Sequence, residues 1–516
     1  MMSYGQNEEL TIENLSPLVE ENVFLQQAPD TRELPIFESA KELLPNPVWE
    51  GHESHIACYW HAWKIAFGNL RKPVPGTGFV SPFIDTAFNG CTFMWDSAFM
   101  LMFGKYGRRV FDFQGTLDNF YSHQHRDGFI CREIEEDTGR EHFTRHDPSA
   151  TGPEVLPWCE WVCYQNTGDI TRLGKVFPPL LAYHRWMRLH HTWPDGSYFS
   201  SGWGCGMDNC PRLMPEYDQR KNHGHMVWVD ACLQAAFSCQ ILMQMAEVLN
   251  RPEFLPELQA EYDSLNGLIQ GKLWDEDTGF FYDLWKTGKH SGIRHIGAYW
   301  ALLSGCATAE QAERMVALLE DESAFKTPHR VPTLSRDHPA FVEDGRYWRG
   351  GVWASTNYMV LRGLTKYGYH PLAHQIAKNH LDTVVEVYEK EKTLFECYAP
   401  MYPGASTTAK GNPVRRDFVG WTGLPPIAML FEYVFGIQPD VPANTIRWHI
   451  QLTDAHGVER YPFGKDGLMT LHCEKRNSAD DTPRVTVTSN MPVTLELTWG
   501  SENNRKAQLL DIAERR

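Results

Sequence analysis

No stretch of this chain approaches the ~20 consecutive apolar residues of a membrane-spanning helix. Its first residues, MMSYGQNEELTIENL, lack the basic region and apolar core of a secretory signal. Positive charge is scarce: 48 Lys and Arg stand against 65 Asp and Glu, a formal net charge of −17. So acidic a chain is a poor partner for nucleic acid or an anionic membrane surface. The 12 cysteines show no repeated CxxC and no Cys/His spacing of a zinc site. Several, such as Cys232 and Cys239, fall on apolar helix faces as small hydrophobes. We therefore expect a cytoplasmic protein with reduced thiols, no metal and no cofactor. Long internal repeats are missing too, and the sequence assigns no oligomeric state.

Helical periodicity is abundant. Amphipathic segments recur at about 54–70, 93–104, 109–122, 154–166, 170–190, 225–249, 254–272, 293–305, 308–320, 351–368, 371–390 and 421–436. In the sixth, Leu233, Ala236, Phe237, Ile241, Leu242 and Met245 trace one apolar face. Short connections follow the even-numbered segments, near Gly107, Gly168, Arg251, Cys306 and Tyr369, and long ones follow the odd. Helices joined by short turns run antiparallel, so the six long loops should crowd one face. That is where a site is expected. Residues 1–40 read as a polar arm and 41–437 as the helical part. From 438 to 516 the pattern alternates as in strands, at 446–450, 467–473, 484–488 and 493–499, and ends in a polar tail. These strands predict a small antiparallel β domain.

Two long loops each carry a carboxylate in unusual company. SSGWGCGMDNCPR (200–212) holds Asp208 among Gly202, Gly204 and Gly206, which allow close backbone approach to a ligand. LFECYAP (394–400) holds Glu396. An isolated Asp usually starts a turn, and an isolated Glu is usually a surface charge. Here aromatic loops share the same face. There are 18 tryptophans, and Trp95, Trp203, Trp348 and Trp421 fall in loops rather than on helix faces. A flat indole suits the C–H face of a sugar. His223 and His225 have no further ligands at metal-binding spacing, and LWDEDTGFFYD (273–283) has its glycine in the wrong place for a calcium loop.

Taken together, FMWDSAF (93–99), GCGMDN (204–209), LWDEDTGFFYD, YWRGGVW (347–353) and LFECYAP resemble the bacterial branch of glycoside hydrolase family 63. The likeness is to its mannosylglycerate and glucosylglycerate hydrolases, with a more distant one to trehalase, and covers most of 50–435. It implies a mainly α fold, an (α/α)6 barrel. It also implies an inverting, exo-acting hydrolase of a small α-linked glucoside or mannoside. Carried over, Asp208 is the general acid and Glu396 the general base. Cys397 and Ala399 depart from the family pattern, which more often has an amide and a polar residue there. Trp95, Asp96 and Arg132 (in DGFICRE, 127–133), together with Trp203, Asn209, Trp348, Arg349, Tyr398 and Trp421, are candidate substrate contacts. Asp96 could equally cap a helix.

The chemistry explains the pair. One carboxyl must be protonated to donate to the departing oxygen, and the other ionised to activate water. Burial against Trp203 or Met207 should raise the pKa of Asp208, while a nearby Arg or amide should keep Glu396 charged. Two other readings fit the same helical frame. A sugar epimerase or isomerase on this barrel would depend on histidines in place of these carboxylates. A noncatalytic carbohydrate-binding protein would keep Trp95 and Arg349 without needing Asp208 and Glu396 together.

Overall fold

The structure is a computed structural model that describes residues 15–86, 89–501 and 504–513. Residues 1–14 of the expected arm lie outside the described residues. Its remainder is less polar in behaviour than its composition suggests. Leu18, Val19 and Phe24 are buried, and the Asn22 amide donates to the Tyr121 carbonyl at 2.9 Å.

Helical segments fall where the periodicity put them. They are α1 Glu53–Gly68, α2 Met94–Gly104, α3 Gly115–Tyr121, α4 Leu156–Thr167, α5 Ile170–His190, α6 Val229–Val248, α7 Leu255–Leu268, α8 Trp300–Ser304, α9 Ala309–Leu319, α10 Ala354–Lys366, α11 His370–Glu391 and α12 Leu424–Val434. Local chemistry sets several ends. Gly168 and Gly305 stop α4 and α8 in the left-handed conformation, and Thr308 and Gln311 form a capping box that starts α9. Two differences stand out. The third segment is shorter than its pattern, because residues 105–114 form a 3-10 turn and loop before Gly115. The twelfth is wound as a π-helix, entered through Pro425 and Pro426.

The even-numbered helices are the apolar centre. Every residue of α2 and of α12 is buried, as expected of helices with neighbours on all sides. Each of α2, α4, α6, α8 and α10 packs on the next, and α12 touches both α10 and α2. Odd-numbered helices lie outside: α3 on α2, α5 on α4 and α6, α7 on α6, and α11 on α10 and α12. Because α4, for one, is followed by a turn of only two residues, the long loops all feed the N-terminal ends of the even helices.

The C-terminal part forms two four-stranded sheets. Their strands are β1 Asn46–Trp49, β2 Ile437–Asp440, β3 Thr445–Ile450, β4 His456–Phe463, β5 Gly467–Cys473, β6 Val485–Ser489, β7 Val493–Trp499 and β8 Lys506–Ile512, in the orders β1-β4-β5-β6 and β8-β7-β3-β2. Strict alternation of burial along β5 and β7 is the period-2 signal of the sequence. One expectation is corrected: the sheets are not wholly antiparallel, since β7 runs parallel to β3. The chain between them leaves to build the other sheet, which supplies the long crossover a parallel pair needs. β8 replaces the expected tail, and β1 comes from the helical side of the sequence to pair with β4. Among the described residues, no helix is long and apolar enough to cross a membrane.

Candidate active site

A cavity of about 440 Å³ opens where the long loops meet the N-terminal ends of the even helices. Five of the six long loops line it; the loop between α7 and α8 does not. Trp95 and Asp96 come from the first turn of α2, so Trp95 is a helix residue and not the loop residue expected; Trp353 directly precedes α10, and Trp421 lies just ahead of α12. Asp208 and Glu396 both face the cavity, together with Arg132, Trp203 and Trp348. Eight of the eleven residues singled out in the sequence thus meet here.

The acid-bearing loop is fixed from beneath. Arg212, wholly buried, donates to Asp230 at 2.7 Å and to Asp283 at 2.5 Å, and its guanidinium lies 4.2 Å over the Trp228 ring. His295 joins through Asp283 at 3.0 Å. Gly202 is required here, because a Cβ would sit 2.2 Å from the Gln219 carbonyl oxygen, and Gly206 adopts a positive φ of 76° against Trp95. Asn209 is a strut rather than a cavity residue. Its amide donates to the Arg346 carbonyl at 3.0 Å and accepts from the Trp348 N–H at 2.9 Å, tying this loop to the 347–353 segment.

Glu396 is held through its own backbone and by one hydroxyl on its side chain. Its N–H donates to the Arg415 carbonyl, and its carbonyl accepts from the Trp421 indole at 2.6 Å. Tyr347 donates its hydroxyl to Glu396 Oε1 at 2.7 Å. Trp348 and Trp353 stack 4.0 Å apart, nearly parallel, with Trp421 at 5.3 Å from Trp353. Arg349 and Tyr398 do not line the cavity. The Arg349 guanidinium donates to the Ala340 carbonyl at 2.9 Å; Tyr398 is buried, its hydroxyl accepting from the Phe395 N–H. Asp96 does not cap α2, whose N-cap is Phe93.

Sequence reasoning passed over Tyr347, Trp353, Glu133, His142 and Phe143. YWRGGVW contains Tyr347 and Trp353, so the aromatic signal was there to be used. The others belong to a hairpin that only tertiary structure brings to the rim. Arg132 reaches the cavity with its guanidinium over Phe143, 4.6 Å from the ring centre.

Electrostatics set this cavity apart. Burial pushes the Asp208 carboxyl up to about 6, with the Arg132 charge the chief restraint. Burial pushes Glu396 up to about 7; the Tyr347 hydroxyl holds it down and the Asp208 charge adds to the rise. Burial also raises Asp96 well above the usual carboxylate range. Asp208 was expected to be raised and Glu396 to stay ionised if an Arg or amide bonded it; both are raised, and the strongest stabilising partner of Glu396 is a neutral phenol rather than a cation.

Known proteins bear on this arrangement. The family model of the mannosylglycerate hydrolase MGH1-like glycoside hydrolase domain matches residues 91–411, which contain both carboxylates. A mannosylglycerate hydrolase of Selaginella moellendorffii is 34% identical over an alignment spanning 61% of this chain and 75% of that protein. One of Thermus thermophilus is 24% identical over 56% of this chain and 85% of its own length. The crystal structure of a GH63 mannosylglycerate hydrolase from Thermus thermophilus in complex with glucose shares the fold, with a TM-score of 0.57 and 22% identity, covering 71% of this chain and 98% of that one. With the matched segment running from the strand before α2 past the Glu396 loop, this chain belongs to the MGH1-like glycoside hydrolase family and is a glycosidase.

Proposed function

We propose that the chain is an inverting, exo-acting hydrolase of a small α-linked glucoside or mannoside, with Asp208 as general acid and Glu396 as general base. The catalytic unit is an (α/α)6 barrel of residues 41–437, joined to a β domain of 438–516 and an N-terminal arm of 1–40. The observation that carries this reading is the meeting of Asp208 and Glu396, from loops far apart in the chain, at one tryptophan-walled cavity. Its volume of about 440 Å³ suits a disaccharide-sized ligand. Asp208 protonates the departing oxygen, and Glu396 removes a proton from the water that attacks the opposite face of the sugar. Trp95, Trp203, Trp348 and Trp421 supply apolar faces to the ring, and Asp96 and Arg132 supply polar contacts.

The two carboxyls, raised to about 6 and about 7, titrate as one interacting pair near neutral pH. The reactive state is the singly protonated one, with the proton on Asp208 and Glu396 ionised. The pH profile keeps its bell shape, with limbs near those two values.

The partner is a small carbohydrate, with no role for nucleic acid or membrane. Twelve buried free thiols suit a reducing cytoplasm. Relatives named as mannosylglycerate hydrolases put glycerate conjugates first among substrates to try. The test is a panel of α-glucosides and α-mannosides, including glycerate and glycerol conjugates, scored for free monosaccharide. Release from at least one by the wild-type protein and not by Asp208→Asn is expected. Binding without release, or an altered sugar still joined to its aglycone, would contradict the assignment.

A further inference from the structure

Cys91, Glu133 and His142 converge at the rim of the cavity, and strand pairing explains how. Cys91–Phe93 runs antiparallel to Glu133–Glu135, with Cys91 opposite Glu135 and Phe93 opposite Glu133. Residues two apart on a strand, and those facing each other across a pair, share one face. Cys91, Glu133 and Glu135 therefore stand on the same side. The hairpin then returns, its His142 N–H donating to the Glu133 carbonyl at 3.1 Å, and adds an imidazole to that face. Cys91 Sγ lies 3.4 Å from His142 Nε2, and Glu133 Oε1 lies 3.4 Å from Nδ1. One donor atom from each of the three residues lies within 4.8 Å of the other two, and Glu135 Oε1 approaches Nε2 at 3.1 Å.

These spacings are close to those of ligands round one ion, although the two 3.4 Å contacts run to opposite nitrogens of the ring. With Zn–S of about 2.3 Å and Zn–N or Zn–O of about 2.0–2.2 Å, tetrahedral ligands sit about 3.3–3.6 Å apart. Cys91 and Glu133 are buried, whereas the His142 side chain is 32% exposed. To coordinate beside both, the ring exchanges one of its present contacts, Glu133 on Nδ1 or Cys91 and Glu135 on Nε2, for the ion. Carboxylates gather round the thiol. Those of Glu133, Glu135, Glu136 and Asp85 all stand near Cys91. The guanidiniums at hand are Arg132, 3.4 Å from Glu133, Arg140, paired with Glu135, and Arg71, whose charge bears on Glu136. Burial and the neighbouring Asp85 raise Glu136 to about 8, so Glu133 and Glu135 are the carboxylates that hold charge toward the thiol and the imidazole.

We propose that Cys91, Glu133 and His142 form a site for a thiophilic divalent cation of the zinc class, with Glu135 as a further oxygen donor, and that its occupation restrains hydrolysis. On binding, the thiol releases its proton to solvent and the sulfur, one imidazole nitrogen and one carboxylate oxygen coordinate the ion. Glu133 and His142 also line the cavity, while Cys91 does not. An ion there takes Glu133 from Arg132, the cation that faces Asp208, and sets a second positive charge beside the acid. This restraint rests on the catalytic reading of Asp208; the binding does not.

The test uses the full-length protein and Co2+ as a spectroscopic stand-in for Zn2+. Wild-type protein is expected to show a thiolate-to-cobalt charge-transfer absorption saturating at one equivalent, displaced by Zn2+. Cys91→Ser loses that absorption and binds Zn2+ more than tenfold more weakly. His142→Ala, at an exposed position that leaves the core intact, weakens binding by a similar factor and covers the case in which Cys91→Ser fails to fold. Absence of the thiolate absorption in the wild type, or unchanged Zn2+ affinity in His142→Ala, would overturn the site. In a separate hydrolysis assay, Zn2+ inhibits the wild type, and Cys91→Ser keeps basal turnover while needing more than tenfold more Zn2+ for inhibition. Inhibition that Cys91→Ser leaves unrelieved would overturn the restraint alone.

Discussion

Carboxylates are buried at both ends of the ring of even helices, and they are treated in opposite ways. At the C-terminal ends, Glu432 of α12 is completely matched. Lys105 lies at 2.7 Å, the Tyr106 and Tyr358 hydroxyls donate at 2.9 and 2.7 Å, and Arg362 stands at 3.6 Å. At the N-terminal ends, Asp96, Asp208 and Glu396 share one cavity, and Glu396 receives a single hydroxyl. Among the described residues, Asp96 and Asp208 hydrogen-bond no other side chain. A matched buried charge fixes a structure, while unmatched ones are tolerated where a ligand or a proton is to complete them.

Breaking the unmatched end should cost activity first. Asp208→Asn and Glu396→Gln are each expected to lower kcat by 10²–10⁴-fold, the usual worth of positioned proton transfer, in a steady-state assay on a substrate with a poor leaving group. Breaking the matched end should cost stability. Glu432→Gln leaves Lys105 buried and unpaired, and should lower unfolding free energy by about 3–5 kcal/mol in a urea titration. Arg212→Ala, which strands Asp230 and Asp283 beneath the Asp208 loop, belongs to the same class.

Smaller effects sharpen the contrast. Tyr347→Phe removes the hydroxyl that holds Glu396 down, so the Glu396 pKa rises above about 7. A limb of the bell-shaped kcat/KM profile should therefore move to higher pH. Smallest is a gain. A carboxyl whose folded pKa is raised binds its proton more tightly when folded, so its native-state penalty is absent at low pH and grows as pH rises from about 4 through the raised value. Asp208→Asn and Glu396→Gln should therefore stabilise by about 1–2 kcal/mol at pH 8 and hardly at all at pH 4. Thermal melts at the two values read it directly.

Much of this was legible because periodicity survives in sequence. The apolar faces of α6 and α10 located helices, and short turns such as that at Gly168 located the crowded face. What stayed hidden depends on partners distant in the chain. β4 is interrupted at Arg460, which takes a positive φ of 57° where the register with β5 shifts, and β8 is mostly exposed, so neither shows clean alternation. The parallel pairing of β3 and β7 leaves no local trace. In the cavity, Asp208, Glu396 and the loop tryptophans could be read from their glycine-rich and aromatic surroundings. Arg349 could not be told from a structural arginine until its carbonyl partner was seen, and Glu133 and His142 meet only through a hairpin.

The central claim, that Asp208 and Glu396 flank a sugar and a water rather than attack it directly, is tested most closely by the stereochemistry of the product. Inverting enzymes hold their carboxyls about 6.5–9.5 Å apart and retaining ones about 5–5.5 Å, and the two mechanisms release opposite anomers. Anomeric proton signals followed by NMR in the first minutes of α-glycoside hydrolysis, before mutarotation, should show the β-anomer appearing first. An initial α-anomer would contradict the account and would make Glu396 a nucleophile instead of a base.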